Sequence, residues 1–144
     1  MQNWLHLLYK LPRNPSKVRV YVWRKLKRLG AVLLHESVWC LPSTLKTREQ
    51  FQWLVVEIQE LGGEASLWET RLVIGGQDEM IIQQFIQQVD KEYKEILEEL
   101  KKEESDLVLL SKKYQQIKIQ DYFQSELGKQ VLEELQAARG GIKE

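Results

Sequence analysis

The chain has 144 residues, 43% of them hydrophobic and 29% charged, and a formal net charge of zero. That length suits one domain with an appendage, and the composition suits a packed core rather than disorder. The single cysteine, Cys40, excludes an internal disulfide framework. The opening Gln2-Asn3-Trp4-Leu5-His6 lacks the regions of a signal peptide, and no apolar run approaches the roughly 18 residues of a membrane span, so a cytoplasmic protein with no membrane partner is expected.

Residues 4–11 read as a strand, because Leu5, Leu7, Tyr9 and Leu11 alternate with His6 and Lys10. Pro12 and Pro15 end it. Asn14 is placed to cap a helix whose first residue is Pro15, where a missing N–H costs nothing. That helix is expected to reach Leu29 on an apolar stripe of Val18, Val22, Leu26 and Leu29, with Gly30 as its left-handed stop. Residues 31–34 and 38–41 predict two short strands joined through His35-Glu36-Ser37. Thr47-Arg48-Glu49-Gln50 matches a capping box, ahead of a helix that should bury Phe51, Leu54, Val55, Ile58 and Leu61 and stop at Gly62-Gly63. Residues 65–74 predict the last strand, with Trp68 and Leu72 on one face and Leu67 and Val73 on the other.

The resulting order is strand, helix, strand, strand, helix, strand. This predicts an α+β fold, ferredoxin-like βαββαβ, with an antiparallel sheet and both helices on one face over residues 1–75. Residues 76–144 predict a helical C-terminal extension. Asp78 is placed to cap a helix over residues 79–104 that buries Ile82, Phe85, Val89, Tyr93, Ile96 and Leu100. Ser105-Asp106 interrupts it, and Leu107, Leu110, Tyr114 and Ile117 predict a second helix that folds back as a hairpin, on the sheet or on a partner. Ser125 should cap a short last helix to Leu135, and Gly140 begins an expected frayed end.

Little in the chain suggests catalysis. Two histidines and one cysteine do not make a zinc site, Gly62-Gly63 and Gly75-Gly76 lack the companions of a phosphate loop, and neither a metal nor another cofactor is expected. Cys40 reads as a buried inert thiol, His35 as an exposed turn residue, and Glu98-Glu99 and Glu103-Glu104 as a solvated face. Tyr9-Lys10-Leu11-Pro12 stands where some small nucleases of this fold carry a metal-binding Asp. The chain is therefore expected not to be an enzyme.

Charge supplies the positive signal. Up to Gly62 there are ten basic and four acidic residues, a surplus of six, which the remainder cancels. Lys17, Arg19, Arg24, Lys25, Lys27 and Arg28 crowd one helix around Tyr21 and Trp23. Cations so spaced suit phosphates or an oxyanion, and arginine suits bidentate contacts; these six are the candidate nucleic-acid or anion-binding residues. The plainer alternative is a solvated helix face. Trp23, Trp39, Trp53 and Trp68 read as core or interface residues rather than base-stacking platforms.

The run Trp4-Leu5-His6-Leu7-Leu8-Tyr9-Lys10-Leu11-Pro12, the block Arg19-Val20-Tyr21-Val22-Trp23-Arg24-Lys25-Leu26-Lys27-Arg28-Leu29-Gly30, Val38-Trp39-Cys40-Leu41-Pro42, Thr47 to Leu54 and Asp121-Tyr122-Phe123 resemble the N-terminal domain of the chromate-resistance protein ChrB. A fainter likeness is to the second domain of PaaX-type repressors. The resemblance implies a regulatory role in chromate-responsive transcription, with DNA or an oxyanion as partner. Longer ChrB proteins are similar only in their first half, so a separately encoded second half is an expected partner. The alternative is a protein-interaction or dimerisation module, and a homodimer is expected from the open sheet edges and the tail.

Overall fold

The computed structural model describes residues 2–143, with side chains through residue 140; Met1 and Glu144 lie outside it. The elements are β1 (Trp4–Lys10), α1 (Ser16–Leu29), β2 (Val32–Leu34), β3 (Val38–Pro42), α2 (Leu45–Glu60), β4 (Glu64–Thr70), α3 (Gln77–Leu100), α4 (Leu107–Ile119) and α5 (Glu126–Lys143). The fold is α+β, with one four-stranded antiparallel sheet in the order β2-β3-β1-β4 and five helices. The chain divides into two compact units, Met1–Met80 and Ile81–Glu144. No helix is long and apolar enough to cross a membrane among the described residues.

In the first unit β1 pairs with β3 on one side (Leu5 with Leu41, Leu7 with Trp39) and with β4 on the other (Leu7 with Leu67). Leu5, Leu7, Leu41, Phe51, Leu54, Ile58, Val22 and Leu26 are all buried. The α1 stripe is therefore the expected one, centred on Val22 and Leu26, and Gly30 ends the helix at φ 79° with its N–H on the Leu26 and Lys27 carbonyls. Its start differs from expectation. Pro15, not Asn14, is the N-cap, and no side chain caps the helix.

The start of α2 also differs. The box is formed one turn earlier, by Thr44 and Thr47 rather than Thr47 and Gln50. The Thr47 backbone N–H donates to Thr44 Oγ1 at 3.1 Å, and the Thr44 N–H donates to Thr47 Oγ1 at 2.9 Å. The Thr47 hydroxyl in turn donates to the Pro42 carbonyl at 2.6 Å, tying the end of β3 to the first turn of α2. Val55 and Leu61 are half-buried rather than buried. β4 stops at Thr70, so Leu72 and Val73 lie beyond the strand, and Val73 is almost wholly exposed. Gly63 lies against β1: a Cβ there would stand 2.6 Å from the Lys10 carbonyl oxygen.

The second unit gathers α3, α4 and α5 around one core, and α5 is longer than the short last helix expected. Val89, Tyr93 and Ile96 of α3, Leu110, Tyr114 and Ile117 of α4, and Val131 and Leu135 of α5 form one core. Ile81 takes the buried position expected for Ile82. Asp78 falls inside α3, and its carboxylate accepts the Trp4 indole N–H at 2.9 Å within the first unit. Asp106 caps α4 through the Leu109 N–H, and Ser125 accepts the Leu127 N–H at the start of α5. Asp121 binds the connection: it accepts the Tyr93 hydroxyl at 2.9 Å and the Ser125 N–H at 3.0 Å. Burial, and then the Asp121 acceptor, push the Tyr93 phenol above its ordinary value. α5 runs through Gly140 to Lys143, past the expected break.

Candidate functional site

α1 carries the candidate site, because its cations lie away from the residues it buries. Val22 and Leu26 face the core, and no acidic residue occurs anywhere in its fourteen residues. Lys17, Arg19, Arg24, Lys27 and Arg28 are exposed, and Lys25 is half-buried. Lys27 and Arg28 also lie in the last turn, where cations complement the helix dipole whatever else they do.

Lys25 is the half-buried member of the six. Its ammonium pairs with the Glu57 carboxylate of α2 at 3.3 Å and lies 5.7 Å from the centre of the Tyr21 ring. The Tyr21 hydroxyl donates to the other oxygen of the same carboxylate at 2.5 Å, and that acceptor raises the Tyr21 phenol above its usual value. A half-exposed pair of this kind contributes about 0.2–1 kcal/mol. It ties α1 to α2 at the edge of the core, while burial of Val22 and Leu26 decides which face of α1 looks outward. No motif at residue 57 announces this role, which arises from a contact across 32 residues.

Four of the remaining five cations line two grooves. Lys17, Arg24 and Arg28, at spacings of seven and four residues, line one groove of about 550 Å³ together with Lys25, Val20 and Tyr21. Arg19 lines a second groove of about 390 Å³, with Tyr9, Leu11, Val20 and Trp23. Lys27 lines neither. The Tyr9 phenol is raised by burial, opposed by a hydrogen bond with the Trp39 side chain. The six predicted residues thus share one helix without forming one cluster.

Of the four tryptophans expected in the core or at an interface, one is in the core and three are on the surface. Trp39 is 7% exposed, a core residue, but Trp23, Trp53 and Trp68 are 52%, 64% and 57% exposed. A tryptophan on a regular element is not thereby in the core. Trp23 directly follows the buried Val22, and only the helix rotation decides which of the two points inward.

Cys40 is fully buried, and burial pushes its thiol up to about 12. His35 is exposed in the β2–β3 turn, where it and Glu36 adopt φ 51° and 60°. Among the described residues, no three His, Cys, Asp or Glu side chains are grouped to hold a metal ion.

The sequence model of the family described as Protein ChrB, N-terminal, matches residues 19–102. The chain belongs to the ChrB N-terminal family. No curated protein matches it, and no solved structure does. The ChrB match begins within α1 and ends just after α3, so it includes Arg19, Arg24, Lys25, Lys27, Arg28 and Glu57 and leaves out Lys17. It also leaves out β1, α4 and α5. The Asp121-Tyr122-Phe123 likeness to ChrB lies outside the matched residues as well.

Proposed function

We propose that the chain is a non-enzymatic regulatory module in chromate resistance that binds a polyanion, DNA in the first instance, through the outer face of α1. The observation that carries this reading is an acid-free helix with five exposed cations, its opposite face buried through Val22 and Leu26. Membership of the ChrB N-terminal family supports the pathway. The element order βαββαβ and the sheet order, read from the other edge as β4-β1-β3-β2, support a ferredoxin-like description of the first unit. The two helices of that unit, α1 and α2, are separated by β2 and β3 rather than joined as a helix-turn-helix, and the phosphate contacts proposed here supply affinity without sequence readout.

The test is titration of duplex DNA from the operon's own promoter at two salt concentrations. With about four phosphates neutralised, a fourfold rise in salt should weaken binding by on the order of 100-fold. The double change Arg24→Ala and Arg28→Ala should reduce the salt slope by about two phosphates' worth. The same arginines suit a tetrahedral oxyanion, and displacement of bound DNA by chromate, beyond that caused by sodium chloride at equal ionic strength, would mark such binding. Absence of binding at low salt, or indifference to the double change, would refute the polyanion reading.

A second reading, self-association, draws on the sheet edge. β4 is a full-length edge strand of seven residues with Trp68 exposed on it, and such edges are paired or protected in proteins. A homodimer should then sediment well above 17.1 kDa at ~50 µM, a range in which weak standard interfaces form. Only monomer at that concentration would remove this reading.

A further inference from the structure

The two grooves along α1 share a wall: Ser16 and Val20 line both. On one side of that wall the lining is cationic, with Lys17, Arg24 and Arg28. On the other it is aromatic, with Tyr9 and the half-exposed Trp23, and Arg19 is its one charged residue. A ligand that satisfies both must be anionic along one edge and flat and apolar along the other, within about the width of one helix. Duplex DNA offers only the first property, because its bases are stacked inside. A strand with unpaired bases offers both: phosphates bind cations, and any base has a π-face for an aromatic ring.

The geometry points to single-stranded nucleic acid as the ligand, with phosphates along Lys17, Arg24 and Arg28 and an unstacked base against Trp23. This rests on the polyanion reading above and narrows it. An anionic membrane is the other class of ligand that basic, aromatic helices take. It is disfavoured here because the continuous apolar stripe of α1, Val22 and Leu26, faces the protein core, whereas interfacial binding buries such a stripe in lipid.

The experiment compares a labelled oligothymidine, a duplex of equal length, and vesicles containing phosphatidylglycerol, for wild type, Trp23→Ala, Trp23→Phe and the Arg24→Ala, Arg28→Ala pair. The single strand should bind tighter than the duplex. Trp23→Ala should weaken it by about 5- to 100-fold, the range for loss of one stacked base, leaving duplex affinity within about twofold. Trp23→Phe should restore most of the loss, and the arginine pair should weaken both nucleic acids. If Trp23→Ala leaves the single strand unaffected, or weakens the duplex equally, the stacking inference falls while the charge reading stands. Tighter, Trp23-dependent binding to vesicles would replace it with the membrane. If neither nucleic acid binds, both readings fall together.

Discussion

Gly128→Ala is expected to destabilise the protein by about 1–2 kcal/mol, although alanine is the better helix former. Gly128 is buried in α5, and a Cβ there would stand 2.8 Å from Cε2 and Cζ of Tyr93 and 2.9 Å from its hydroxyl. Real Cβ contacts are longer, so the ring would have to retreat. It has little room to do so: Tyr93 is 0% exposed, its hydroxyl is bonded to Asp121, and its ring lies 6.0 Å from that of Tyr114. Overpacking of a fixed core costs about 1–3 kcal/mol and sometimes more, and the helix-propensity gain returns about 1 kcal/mol. For a unit of this size the loss corresponds to roughly 5–15 °C in Tm, measured by far-ultraviolet circular dichroism. An unchanged or higher midpoint would show that the Tyr93 ring can shift and that the close approach is not what holds α3 against α5.

Thr47→Val should cost about 2–4 kcal/mol with almost no change in shape. Thr47 is 1% exposed, and its one oxygen serves two backbone groups, donating to the Pro42 carbonyl and accepting from the Thr44 N–H. Valine preserves volume and branching but leaves a buried carbonyl unsatisfied, at about 1–3 kcal/mol, and removes the return bond of the capping box from the Thr44 N–H, at about 1 kcal/mol, while the Thr47 N–H still donates to Thr44 Oγ1. Thr47→Ser keeps the oxygen and loses one methyl group, so it should cost only about 1 kcal/mol. Chemical denaturation of both variants tests this, and equal stability of Thr47→Val and the wild type would remove the cap from the account.

These two positions also mark where the sequence was readable and where it was not. The strands and helices of the first unit follow from alternation, amphipathic spacing and punctuation by Pro and Gly; α1 ends at Gly30 as its left-handed stop requires. The capping box lies one turn before the place the Thr47-to-Gln50 pattern points to, because that pattern looks for Glu or Gln three residues after the cap, whereas here a threonine hydroxyl reaches back. Ile81 and Ile82 are adjacent and equally apolar, and only packing against other elements chooses between them. Two glycines near the C-terminus suggested a break, yet α5 continues through them, and Gly128 within it serves a close approach that has no local signature. Within the candidate site the cations were legible as a run on one helix. Their division into two grooves, the Glu57 anchor and the exposure of Trp23 depend on how that helix is rotated against its neighbours, which no local pattern encodes.

The division into two units has an optical consequence. All five tryptophans, at positions 4, 23, 39, 53 and 68, belong to Met1–Met80, and the aromatic residues of Ile81–Glu144 are tyrosines and phenylalanines. Indole emission therefore reports on the sheet-bearing unit alone, while a helix-weighted ellipticity signal draws heavily on the other. Coincidence of the two denaturation curves would mean that the units melt as one cooperative body, and separation would mean two bodies with two stabilities. Any single folding free energy quoted from emission alone would describe only the portion of the chain that carries α1 and its grooves.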